Sequence, residues 1–184
     1  PTLIPYPTLF RSTPLVVLGA MISGKPNWLL VGHVGIIGHD RVMVSLAKPH
    51  YTNQGIKASR ALSINIVDEA LLPKADYAGC VSGNQQDKSE VFQYQIGEAG
   101  VPLINAAPVS MSCTVEDIYE TEGFESFICK IAATYAEESV LTLEGKIDYH
   151  ALKPVLFEMP TYEYLRTGEV IGKCMSYGKQ EVSE

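Results

Sequence analysis

The chain has 184 residues, 46% of them hydrophobic and 19% charged. That composition supports one well-filled core and excludes disordered and collagen-like chains. The formal net charge of −7 excludes a surface that attracts nucleic acid or anionic membrane, so any phosphate must be held by a local cluster of donors.

Further exclusions follow from particular residues. No apolar run reaches the roughly 18 residues of a membrane-spanning helix. The opening stretch PTLIPYPTLF lacks the basic and apolar regions of a signal peptide, so the expectation is a cytoplasmic protein with reduced thiols. Cys80, Cys113, Cys129 and Cys174 form no C-x-x-C pair, and His33, His39, His50 and His150 are scattered, so no metal site is expected.

Residues 1–13 read as a proline-bearing arm. Leu15 to Ile22 is a strand, Ser23 to Asn27 a turn, and Trp28 to Val34 a second strand, together a hairpin. A glycine-bearing connection leads to an apolar strand over 42–47. After a break at Lys48-Pro49-His50, a short helix starts at Tyr51-Thr52-Asn53, and Leu62 to Val67 is another strand. Asp68 should cap a short helix, and Pro73 should open a second helical piece through Tyr77. Gly79 to Gly83 reads as a loop and Ser89 to Gln95 as a weak helix.

In the second half, residues 100–103 form a connector. Val109 to Tyr119 alternates with period two, and Phe124 to Ala136 is its antiparallel partner. Ser139 to Leu143 reads as a short strand, and Asp148 to Leu152 as a brief helix. Residues 159–184 form a C-terminal arm, leaving 14–158 as one domain. Several short strands with a few helices between them argue for a helix-decorated β-barrel.

The organising stretch is Arg41 to Val67: strand, polar corner, helix start, helix, strand. Free N–H groups and the positive end of the helix dipole meet at the corner, where a phosphate can be held. Thr52 adds a hydroxyl and Lys48 a cation. Thr52 also reads as a plain helix cap, and Lys48 and Lys88 as solvated lysines. Other motifs fail on spacing. Gly32, Gly35 and Gly38 lie three apart, which is not G-x-G-x-x-G, and Gly79-Cys80-Val81-Ser82-Gly83 is not G-x-S-x-G.

The surviving pieces are G-K-P-N-W, then V-S-L-A-K-P-H-Y-T-x-x-x-I, S-I-N-I-V, D-Y-A-G-C-V-S-G-x-x-x-D-K and A-P-V. In that order and spacing, over residues 14–155, the chain resembles the flavin reductase-like family of FMN-binding split barrels. The resemblance implies a mainly β fold with short helices, a six-stranded Greek-key split β-barrel. It implies FMN near the interface of a homodimer. Asn27, Trp28, Leu29 and Leu30 would border the isoalloxazine, largely through backbone. Ser45, Leu46 and Lys48 would border the ring and ribityl chain. Tyr51, Thr52 and Asn53 would take the phosphate, and Ser82, Gly83 and Lys88 would close over it.

The implied activity is an NAD(P)H-dependent flavin or acceptor reductase. The alternatives are a flavoredoxin-like electron carrier, which exchanges electrons with a redox partner protein and has no nicotinamide site, and a cofactor-free binding module. No catalytic acid or base is indicated. Where the family tends to carry a Ser/Thr-rich second strand, this chain has Trp28-Leu29-Leu30-Val31-Gly32-His33. Trp28 is expected in the core, as large aromatics mostly carry packing area.

Overall fold

Alternating inward and outward side chains build the main sheet. In the computed structural model, which describes residues 12–177, the strands are β1 (Ser12–Pro14), β2 (Val16–Ile22), β3 (Lys25–Val31), β4 (Val34–Ile36), β5 (Arg41–Ala47), β6 (Ala61–Ile66), β7 (Tyr94–Ile96), β8 (Pro102–Ile104), β9 (Val109–Glu120), β10 (Phe124–Ala136), β11 (Val155–Glu158) and β12 (Glu163–Arg166). The helices are α1 (Thr52–Ser59), α2 (Leu72–Cys80) and α3 (Tyr149–Leu152).

Seven strands form one antiparallel sheet in the order β3-β2-β6-β9-β10-β5-β4. Six of them are long and β4 has three residues, so the six-stranded split-barrel expectation holds, with β4 as a short edge. The sheet curls around Val16, Leu18, Val44, Leu62, Ile64 and Phe127, with Val42, Val44 and Leu46 marking the inward face of β5. Ile56 of α1 plugs one end of this interior, fully buried. Gly55 permits the plug. A Cβ there would lie 2.5 Å from Ile22 Cγ1 and 2.9 Å from the Met21 carbonyl oxygen, so only glycine lets α1 rest on the end of β2. On the outer face, Trp28, Val17, Val67 and Phe92 pack with Ala75 and Ala78 of α2.

Several local expectations need correction. The turn between β2 and β3 is only Ser23-Gly24, because β3 already begins at Lys25. Asp68 and Pro73 serve a single helix: the Asp68 carboxylate accepts from the Leu71 N–H at 2.8 Å, and Pro73 sits in the first turn of α2. That helix continues through Gly79 and Cys80, so the loop starts at Val81. Ser89 to Gln95 is not helical; Tyr94 begins β7, which pairs with β8 in what read as a connector. Ser139 to Leu143 holds a 3-10 turn and one isolated bridge, Leu141 to Ile147.

The brief helix at 148–152 is present as α3, with the Asp148 carboxylate accepting from the His150 N–H at 2.8 Å. A three-stranded sheet in the order β1-β11-β12 joins residues on both sides of 14 and 158. Most of the N-terminal arm, residues 1–11, and residues 178–184 of the C-terminal arm lie outside the described residues. Among the described residues, no helix is long and apolar enough to cross a membrane and no cluster of His, Cys, Asp and Glu could hold a metal ion.

Candidate functional site

The polar corner is built where the start of β3, the start of α1 and the loop after α2 converge. They line a pocket of about 300 Å³ that includes Lys25, Asn27, Tyr51, Gly83, Asp87 and Lys88. Tyr51 caps α1 without a side-chain hydrogen bond, so Thr52 is not the helix cap. Its Oγ1, almost fully buried, accepts from Asn27 Nδ2 at 2.8 Å. With that lone pair taken, the Thr52 hydroxyl proton is left to donate elsewhere. Among the described residues, neither the Tyr51 nor the Thr52 N–H has a backbone partner. The start of α1 therefore carries three unclaimed donors, with Asn27 and Tyr51 lining the pocket and Thr52 buried beside Asn27.

Gly83 is the cradle. A Cβ at that position would fall 2.5 Å from Asn27 Oδ1 and 2.5 Å from Tyr51 Cδ1, so any side chain would push the loop off the corner. Lys88 fixes the base of the loop and is not a solvated lysine. It is 3% exposed, and its ammonium donates to the carbonyls of Ala78 at 2.9 Å and Val81 at 3.1 Å. Burial pushes its pKa down from 10.5 to about 8. Lys25, across the pocket, pairs with Asp87 at 2.8 Å and ties the β2–β3 turn to the loop. The Lys25 ammonium, together with the N–H of Ser89, holds the Asp87 carboxyl well below the usual carboxylate range.

The remaining expected site residues are placed differently. Asn53 is buried and faces the barrel interior, donating to the Ala47 carbonyl at 3.1 Å and to Glu125 at 2.7 Å. Burial works against the charge of Glu125, but hydrogen bonds from Lys57 and Asn53 hold its carboxyl below the ordinary value. This trio fastens α1 to β10. Lys48 turns to Glu120 at 3.1 Å and does not line the corner. Ser82 is exposed, its hydroxyl oxygen accepting from the Asn84 N–H at 3.3 Å. Trp28 is fully buried, edge-on to Phe92 at 5.3 Å, as expected of a core residue. The Leu29 and Leu46 side chains belong to the barrel interior and Leu30 packs outward over α2, so these residues offer a ligand only their backbone.

Ser45 opens onto a second, larger pocket of about 700 Å³ on the outward side of β5, lined also by His33, Met43, Phe124, Ser126 and Tyr162. The Ser45 and Ser126 hydroxyls lie 2.9 Å apart across the β5–β10 pairing. His33 meets Phe124 edge-on at 5.7 Å. Both the chain from Asn27 to His33 and the chain from Ser45 to Tyr51 run between the two pockets. Six residues at about 3.3 Å each bound the first of these spans at about 20 Å. Sequence reasoning missed Lys25, Phe124, Ser126, Met159 and Tyr162. Lys25 was legible inside G-K-P-N-W. The others come from the far end of the chain, and only β-pairing brings them here.

The fold agrees with comparison to known proteins. The model of the flavin reductase-like domain matches residues 10–153. A flavoredoxin from Methanosarcina acetivorans is 30% identical, with 98% of each chain covered and a TM-score of 0.93. The flavoredoxin of Desulfovibrio vulgaris (Miyazaki F) is 29% identical over 97% of this chain and 99% of its own, with a TM-score of 0.89. An FMN-binding protein from Thermus thermophilus, solved with bound 1-cyclohex-2-enone, shares the fold at 17% identity, 94% and 97% coverage and a TM-score of 0.80. No curated protein is a significant match. The chain belongs to the flavin reductase-like domain family.

Proposed function

We propose that this protein is a flavoprotein that holds FMN, with the phosphate in the corner at Thr52 and the isoalloxazine in the pocket beside Ser45. The observation that carries the reading is the Asn27–Thr52 hydrogen bond, which turns a buried hydroxyl into a donor beside two unclaimed N–H groups. These residues fit a phosphate. The donors are fixed before the ligand arrives, the missing Cβ at Gly83 lets the loop close onto Asn27 and Tyr51, and Lys25 and Lys88 outnumber Asp87 in a chain whose overall charge is −7. On the ring side, Ser45, Ser126 and His33 supply a few polar groups among apolar walls, the usual make-up of a cofactor site. When bound, the flavin supplies reversible two-electron chemistry at its ring. The chain's part is to bind, orient and shield it, and no side chain is assigned as acid or base.

In this reading the protein is an NAD(P)H-dependent flavin or acceptor reductase acting in the cytoplasm as a homodimer. A ring lying against one barrel would be left half open. The exposed Phe124 beside the ring pocket gives a second copy apolar surface to cover. A second reading, an electron carrier that takes electrons from a partner protein, is favoured by the similarity to two flavoredoxins at 30% and 29% identity. Stopped-flow mixing of the purified protein with NADH and NADPH separates the two. Bleaching of the flavin at a turnover-competent rate supports the reductase. No bleaching by either, with reduction by a reduced ferredoxin, establishes the carrier. Protein that is colourless and takes up no FMN would sink both.

A further inference from the structure

The two ends of the barrel interior differ. Ile56 fills the end next to the corner. At the other end, Val16, Val42, Ile64, Met111 and Ile131 surround a cavity of about 510 Å³. Its wall on one side is β4, only three residues long, with Gly35 within it and Gly38 just beyond. Short strand and small residues together leave space that side chains fill in a closed small barrel.

We propose that this cavity binds a small, neutral, apolar molecule and is a site separate from the flavin pocket. Size is the first argument. Ligand cavities commonly span about 300–1,000 Å³. An apolar cavity of about 150 Å³ stays dry and takes up benzene, so this one has room for a molecule of two or three rings or a branched aliphatic. Charge is the second. The guanidinium at the rim, Arg41, is engaged by both oxygens of Glu116, at 2.9 and 3.0 Å, and by Asp40 at 2.5 Å. With its guanidinium already engaged by these carboxylates, Arg41 is not free to pair with an anionic ligand, while the apolar walls would strip a cation of water without replacing it. Shape is the third: the space is concave, enclosed by strands and on one side by Tyr149 and Leu152 of α3, not a long groove for a helix or an extended peptide.

The cavity and the ring pocket lie on opposite sides of β5. Val42 faces the one and Ser45 the other, and Val34 and Gly35 line both. The site therefore goes beyond the flavin reading and stands without it.

The test is a titration of the full chain, with whatever flavin it carries, by the neutral fluorophore N-phenyl-1-naphthylamine. The expected result is saturable, blue-shifted emission at one probe per chain. Ile131→Trp and Met111→Phe, both at half-buried wall positions, should each weaken probe binding about tenfold by filling the space, with FMN affinity changed less than about twofold. Absence of saturable emission, or emission indifferent to both substitutions, overturns the proposal. So does emission that appears only on dilution as a dimer dissociates, which assigns the cavity to a second copy. If both variants fail to fold, xenon pressurised into crystals of the unaltered protein decides. Density between Val16, Ile64 and Met111 supports the site, and its absence overturns it.

Discussion

The corner and the ring pocket sit at opposite ends of the same two chain segments, yet they are built by different means. In the corner, direction is fixed: Asn27 sets the lone pair of Thr52, Gly83 lets the loop close onto Asn27 and Tyr51, and Lys88 pins the loop through two carbonyls. In the ring pocket, shape is fixed instead, by Phe124, His33, Met43 and Tyr162 around a single pair of serines. A compact anion is recognised by aimed donors, and losing one is expensive. A flat ring is recognised by walls, and losing one wall is cheap.

The largest effect expected from that contrast is at Gly83. In Gly83→Val the new side chain collides with Asn27 and Tyr51, and FMN affinity should fall by roughly two orders of magnitude or more as the loop lifts away, read by flavin fluorescence quenching. Thr52→Val comes next. It removes one donor to a charged group, about 1.5–3 kcal/mol, so FMN should bind about ten- to a hundredfold more weakly while riboflavin binding is unchanged. Equal loss for both flavins would place Thr52 in folding and not in phosphate recognition.

Lys88 gives a pH signature of opposite sign for ligand and fold. Its pKa is about 8 in the folded chain, against 10.5 when unfolded. As pH rises through 8, the folded protein loses this charge and FMN affinity should drop several-fold. Between 8 and 10.5 the unfolded chain holds the proton that the folded one has released, so this group's contribution to stability rises with pH. Lys88→Met should remove both slopes, which paired titrations and urea melts at pH 7 and 9.5 would reveal. The smallest effect is expected at the ring. Tyr162→Ala opens one wall and should change FMN affinity less than about threefold, while broadening the range of acceptors reduced, as seen in steady-state rates. A large loss of FMN there would erase the contrast.

The barrel was legible in its apolar and alternating runs. The apolar strand read over 42–47 is β5, with Val42, Val44 and Leu46 turned inward, and Phe124–Ala136 pairs with Val109–Glu120 as expected. Ser89–Gln95 misled because its polar and aromatic residues carry no period that favours a strand, and β7 exists only by pairing with β8. In the corner, Thr52 and Gly83 announced themselves through turn and helix-start chemistry. The roles of Asn53 and Lys88 did not. One faces Glu125, 72 residues away, and the other bonds the backbone at the end of α2. Those partners follow from tertiary packing, which local spacing does not encode. Tyr162 and Met159 lie in what read as an arm, yet β12 returns to pair with β11 beside the ring pocket.

Binding of FMN and of riboflavin to flavin-stripped protein, compared by isothermal titration, tests the phosphate corner most directly, because the two ligands differ only in the phosphate. One FMN per chain, held at least about a hundredfold tighter than riboflavin, with the gap closing in Thr52→Val, is the expected result. Equal affinity for the two, or a gap that Thr52→Val leaves intact, would contradict the assignment of the corner to the phosphate.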